Sequence, residues 1–163
     1  MAVIGILGRH SRETADCLRE IIHSAGDLSL FSIVDLERLV ETAPIDILVA
    51  SGGSDIAHGV IESQVNRFFI INPDQKDILA CATNSQSLLI TYGFNNKVCV
   101  TASSVMENEI QICVQRELPT LSGGLVEQQE FGIEADTEKH SSEILLAAIS
   151  AALVADVQVM VLK

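Results

Sequence analysis

Ala2-Val3-Ile4-Gly5-Ile6-Leu7-Gly8-Arg9-His10-Ser11-Arg12-Glu13-Thr14 stands at the start of the chain and decides how the rest is read. Residues 2–7 are an unbroken apolar run, the pattern of a parallel strand buried on both faces. Gly8 ends it. Over 14–25 the apolar residues Ala15, Leu18, Ile21, Ile22 and Ala25 recur at helical spacing. Gly26 follows where a C-terminal cap belongs. A strand, a glycine and a helix in that order put residues 8–14 where a phosphate-binding loop would stand.

A working loop of that kind needs glycines that turn backbone N–H groups toward phosphate, a lysine for the terminal phosphate, and a hydroxyl for Mg²⁺. Here Ser11 holds the place of the last glycine, Arg12 that of the lysine and Glu13 that of the hydroxyl. A carboxylate there opposes phosphate by about 3 kcal/mol at ~6 Å and intermediate dielectric. The same residues also make a good helix start. Ser11 as N-cap with an acid in the first turn is worth about 1 kcal/mol. Gly8, Arg9, His10, Ser11, Arg12 and Thr14 are the candidate nucleotide contacts of this segment, with the helix start as the structural alternative.

Outward from this unit, residues 28–34 read as a second strand, and Asp35 can cap a short helix to about Glu41. Residues 45–50 form a third strand, ending in Ser51-Gly52-Gly53-Ser54. Residues 68–71 form a fourth, ending in Asn72-Pro73-Asp74. A helical turn spans 77–82, and a fifth strand spans 87–92, closed by Gly93. Strands alternating with helices predict a mostly parallel, Rossmann-like sheet of the P-loop type, flanked by helices. After Phe94 the period changes to two. Val98, Val100 and Ala102, then Ile110, Ile112 and Val114, then Phe131, Ile133 and Ala135 predict an antiparallel β-meander with one wet face. Residues 142–154 are a helix with an apolar stripe of Ile144, Leu145, Ala148, Ile149, Ala152 and Leu153. The expected α/β fold is one domain over 1–163: a parallel part over 1–94, and the meander plus final helix over 95–163.

In open parallel sheets ligands sit beyond the carboxyl ends of the strands. The loop Ser51, Gly52, Gly53, Ser54 and Asp55 reads as an anion nest or as an ordinary turn with a helix cap. Asn72 and Asp74 suit a base or ribose, or an Asn-Pro turn and cap. Tyr92 stands at the next strand end. His10 and His58 both follow strand ends, but their spacing does not define a metal site. No G-x-S-x-G elbow and no Ser-His-Asp order is present.

The formal net charge is −12, from 10 Lys+Arg against 22 Asp+Glu. An acidic surface repels phosphate backbones, so neither nucleic acid nor an anionic membrane is an expected partner. No apolar run reaches the ~18 residues of a membrane span. Cys17, Cys81, Cys99 and Cys113 form no C-x-x-C pair, and the first strand has no basic leader, which together predict a cytoplasmic protein. The meander leaves an edge strand open to self-association, with Glu107, Glu109 and Gln111 as its protection.

The order of these pieces resembles the central domain of the Mur ligase family. Ile4-Gly5-Ile6-Leu7-Gly8-Arg9-His10-Ser11-Arg12-Glu13-Thr14 aligns without gaps on that family's phosphate loop, I-G-I-T-G-T-N-G-K-T-T. Phe69-Ile70-Ile71-Asn72-Pro73-Asp74 is similar to its strand ending in N-x-D-D, which contacts adenine and ribose. Leu89-Ile90-Thr91-Tyr92-Gly93-Phe94 is similar to I-T-Y-G-F, and Leu146-Ala147-Ala148-Ile149 to the L-A-A-I of its last helix. The resemblance spans nearly the whole chain and one of the family's three domains.

The departures fall on charge-bearing positions. The family lysine falls on Arg12, its magnesium hydroxyl on Glu13 and its catalytic glutamate on Ser51. The asparagines opening its last helix fall on Ser141 and Ile144. The segment with the D-H motif and the modified lysine is missing between Ser54 and Phe68. The resemblance then implies a non-catalytic homologue that binds a protein partner or small ligand, linked to cell-envelope synthesis. No cofactor is expected, and ATP with Mg²⁺ is disfavoured. The rival expectation is a nucleotide-binding ligase-like subunit that completes its site with a partner chain, with Arg12 neutralising phosphate and Thr14 offering a displaced hydroxyl.

Overall fold

A computed structural model describes residues 1–36, 44–52, 67–83 and 85–159. Strands β1 (Ala2–Leu7), β2 (Phe31–Asp35), β3 (Ile47–Ala50), β4 (Phe68–Ile71) and β5 (Leu88–Thr91) form one parallel sheet. Its order is β2-β1-β3-β4-β5. The short apolar runs of the sequence are these strands, and their period-two alternation sorts the core. Ile4, Ile6, Ile47, Val49, Phe68 and Ile70 face one way. Leu7, Leu48, Ala50, Phe69 and Ile71 face the other. On the first face lie helices α1 (Ser11–Ser24) and α3 (Ser142–Val154), and on the second lies α2 (Lys76–Thr83).

Helix α1 ends as its glycine predicts. Ala25 is the C-cap, and Gly26 takes φ +82. The Gly26 N–H donates to His23 O and the Asp27 N–H to Ile22 O, the paired bonds of a Schellman closure. The start of α1 departs from expectation. His10, not Ser11, is the N-cap residue, and no side chain caps the helix. The Ser11 hydroxyl donates instead to Asp35 Oδ1 at 2.8 Å, tying α1 to the end of β2. Asp35 therefore closes a strand; the helix expected to about Glu41 falls on residues outside those described. The second strand is also shorter than its apolar run. Residues Leu28–Leu30 form a 3₁₀ turn, and pairing with β1 begins at Phe31.

The antiparallel part comprises β6 (Val100–Met106), β7 (Glu109–Val114) and β10 (Gln129–Glu134), in order β10-β7-β6. A two-stranded pair, β8 (Leu118–Pro119) with β9 (Leu125–Val126), closes the loop at 121–124 that the sequence leaves open. Glu109 and Gln111 lie on β7, the central strand, so they wet the outer face rather than protect an edge. The final helix also differs from expectation. Every residue from Ile144 to Val154 is buried, not one stripe. Helix α3 touches α1, β3, β4, β6 and β8, so it is the shared filling between the two sheets. A helix apolar all round is the pattern of a core helix.

Candidate functional site

The sheet order fixes where a ligand would go. The chain leaves β1 toward β2 on one side and then crosses to β3 on the other, so the two crossovers part between β1 and β3. That divergence opens the ligand crevice of doubly wound sheets. Two loops meet there: Gly8-Arg9-His10 after β1 and Ser51-Gly52 after β3. Gly8, at the end of β1, therefore lies at this divergence.

The loops are packed against each other. The Ser51 N–H donates to Leu7 O at 2.8 Å, and the His10 N–H donates to Ser51 O at 2.9 Å. Gly8 has φ +108, and a Cβ on it would lie 2.3 Å from Ser51 O and 2.4 Å from Gly52 O. Gly52, at φ +78, lies under the His10 ring and the Arg9 side chain. Beneath the loops, the buried hydroxyls of Thr14 and Ser51 are 2.6 Å apart. The Thr14 hydroxyl is therefore turned inward. Arg9, Arg12 and Glu13 are exposed. Gly53, Ser54, Asp55 and His58 lie outside the described residues.

A polar cluster continues from Ser51 across the ends of β4 and β5. The Tyr92 hydroxyl donates to Ala50 O at 2.7 Å. Burial, reinforced by the Glu143 carboxylate, pushes this phenol above its ordinary range, so it stays protonated. Asn72 Oδ1 accepts from the Asp74 N–H at 3.0 Å, while Asn72 Nδ2 reaches Glu143 Oε1 at 3.4 Å. Gln75 Nε2 donates to the same Glu143 oxygen at 3.1 Å. The buried Gln75 Oε1 has no hydrogen-bond partner among the described residues. Asn72 is thus an organiser of the turn after β4, and Asp74 is exposed at its rim.

Glu143 and Gln75 are the residues that sequence reasoning misses. Glu143 stands in the first turn of α3, whose N-cap Ser141 accepts from the Ile144 N–H at 3.3 Å. The signal available was an acid two places after a capping serine. Nothing local says that this helix end faces the strand ends of a sheet 50 residues away in sequence or more. Of the two positions matched to the family's asparagines, Ser141 caps the helix and Ile144 is buried. Among the described residues no group of three or more His, Cys, Asp or Glu could hold a metal ion. Also among them, no helix is long and apolar enough to cross a membrane.

Sheet order, crevice and covering helices define a doubly wound α/β domain with an antiparallel extension. Among solved structures, such an arrangement occurs in a UDP-N-acetylmuramoyl-L-alanyl-D-glutamate–2,6-diaminopimelate ligase, to which this chain is similar with a TM-score of 0.61. The two share 16% identity over 94% of this chain and 43% of the ligase, so the chain spans less than half of that protein's length. The fold is Mur ligase-like. No family model and no curated protein matches the chain.

Proposed function

We propose that the chain is a non-catalytic counterpart of the Mur ligase central domain, which binds a protein partner or small ligand without ATP. One observation carries this reading: the His10 N–H, which a phosphate loop would aim at its ligand, is taken by the Ser51 carbonyl at 2.9 Å. The Gly8 turn that should cradle phosphate is filled by the Ser51 and Gly52 carbonyl oxygens. Carbonyl oxygens carry partial negative charge, so this lining opposes an anion.

The residues present do not fit a magnesium triphosphate. Ligase chemistry of this fold needs a cation clamp and preorganised positive charge on the transferring phosphate. Glu13 occupies the hydroxyl position and Ser51 the acid position, and Glu143 adds a carboxylate beside Asn72. Each like charge within ~6 Å of a phosphate costs about 1 to 3 kcal/mol, depending on exposure. Arg9 and Arg12 offset part of this. The similarity of fold to a diaminopimelate ligase supports the proposed tie to cell-envelope synthesis.

Thermal unfolding with and without Mg²⁺-ATP tests the proposal. A ligand at 100 times its dissociation constant stabilises by about 2.7 kcal/mol. The expected result is an unchanged melting temperature with ATP, ADP or GTP. A clear rise with Mg²⁺-ATP would overturn it and favour a nucleotide-binding subunit completed by a partner chain.

A further inference from the structure

A cavity lies along α1, about 14 Å from Ser11 at 1.5 Å rise per residue. It encloses about 440 Å³ between α1, α3, the end of β10 and residues 135–140. Its body is apolar, formed by Ile21, Ile133, Leu145, Ile149 and Val159. That volume and lining are those of small-molecule sites, which add a few convergent polar groups.

The polar groups here have a defined sense. His140 is only 6% exposed, and its Nε2 lies 3.4 Å from Glu20 Oε2. Lys139 Nζ donates to the other Glu20 oxygen at 2.6 Å. That bond holds the Glu20 carboxyl below its ordinary range, so Glu20 is an acceptor at neutral pH. Lys139 Nζ and the His140 ring thus bracket the two oxygens of the Glu20 carboxylate. Glu134 and Asp136 add exposed carboxylates to the same wall.

We propose that this cavity binds a small amphiphilic cation, a primary amine on a short alkyl or aryl body. The body fills the apolar chamber. The ammonium lies against the Glu20, Glu134 and Asp136 carboxylates of the cavity wall. An acidic rim alone would attract any cation. The apolar chamber adds a preference for a hydrocarbon body joined to the charge. The site shares no residue with the crevice at β1 and β3, so it stands whether or not nucleotide binds there.

NMR titration of the full chain with hexylamine, hexanol and hexanoate tests this. Hexylamine should shift the amides of Ile21, Ala135 and Ile149 saturably, with hexanol at least about tenfold weaker and hexanoate without effect. Glu20→Gln, at a half-exposed position, should weaken hexylamine about tenfold, and the cavity-filling Ile149→Phe should abolish the shifts. Equal affinity for hexylamine and hexanol would overturn the proposal. So would shifts centred on His10 and Ser51, no saturable shift with hexylamine, or an unchanged affinity in Glu20→Gln.

Discussion

Gly8 and Gly26 both sit at positive φ, and the difference between them separates two costs. At Gly26 a Cβ would meet nothing within 4 Å, so only the backbone conformation resists a side chain. Gly26→Ala should cost about 1 kcal/mol in urea unfolding. At Gly8 the added methyl would drive into the Ser51 and Gly52 carbonyls as well. Gly8→Ala should cost about 2–5 kcal/mol, and a loss no larger than at Gly26 would mean the two loops part easily. Titration adds a second contrast. The Glu20 carboxyl is lowered from 4.5, first by its hydrogen bond from Lys139. Its pairing stabilises the fold above that value and is lost as pH falls through the lower folded one. The Cys17 thiol runs the other way, raised by burial from 9.0 to about 12. Its contribution is complete below the unfolded value and is lost as pH rises between the two. Glu20→Gln should flatten the acid limb of a stability–pH curve and Cys17→Ala the alkaline limb. Unchanged limbs would place those transitions on other groups.

Helix α3 joins the parallel sheet to the meander, and its stability follows from complete burial. Leu146 is 0% exposed, so Leu146→Ala removes its contacts and leaves a cavity. A loss of about 2–5 kcal/mol is expected. Ser150 is equally buried, but its hydroxyl donates to Leu146 O within the same helix. Ser150→Ala should therefore change stability by less than about 1 kcal/mol, and a larger loss would reveal a second partner for that hydroxyl. The alternating core of β1, β3 and β4 was legible because each apolar run is bounded by turn residues and is too short for a helix. The meander was legible from its period of two. The full burial of α3 was not, because a stripe computed from sequence cannot say that a second sheet covers the opposite side. The 3₁₀ turn at Leu28–Leu30 was missed for a related reason: an apolar run marks burial or exposure, not hydrogen bonding, and Leu30 is exposed. At the site, the positions of Gly8, Ser51, Asn72 and Tyr92 followed from the strand ends. Their contacts did not, since the Ser51 carbonyl on the His10 amide and Glu143 beside Asn72 join residues 41 and 71 apart.

Among the described residues the parallel sheet and the three-stranded meander share one main core. Ile4 and Ile70 of the parallel sheet, Ile112 and Ile133 of the meander, and Leu146 of α3 belong to the same buried cluster. The sheets also touch directly where Tyr92, just past β5, bridges to Val100 of β6. Neither sheet can lose α3 without exposing apolar surface, at about 25 cal/mol per Å². A core held in common should make unfolding all-or-none, as in small single domains. The chain carries a marker for this. Tyr92 is its one tyrosine and there is no tryptophan, so intrinsic emission reports the seam between the sheets. Far-UV circular dichroism reports the helices and strands at large. The two signals should give one midpoint and one slope in urea. An earlier Tyr92 transition would mean the meander and α3 leave first and the parallel sheet survives as a unit. The 1–94 and 95–163 halves would then be separate folding bodies, and the effects predicted for Leu146→Ala and Gly8→Ala would fall on different transitions.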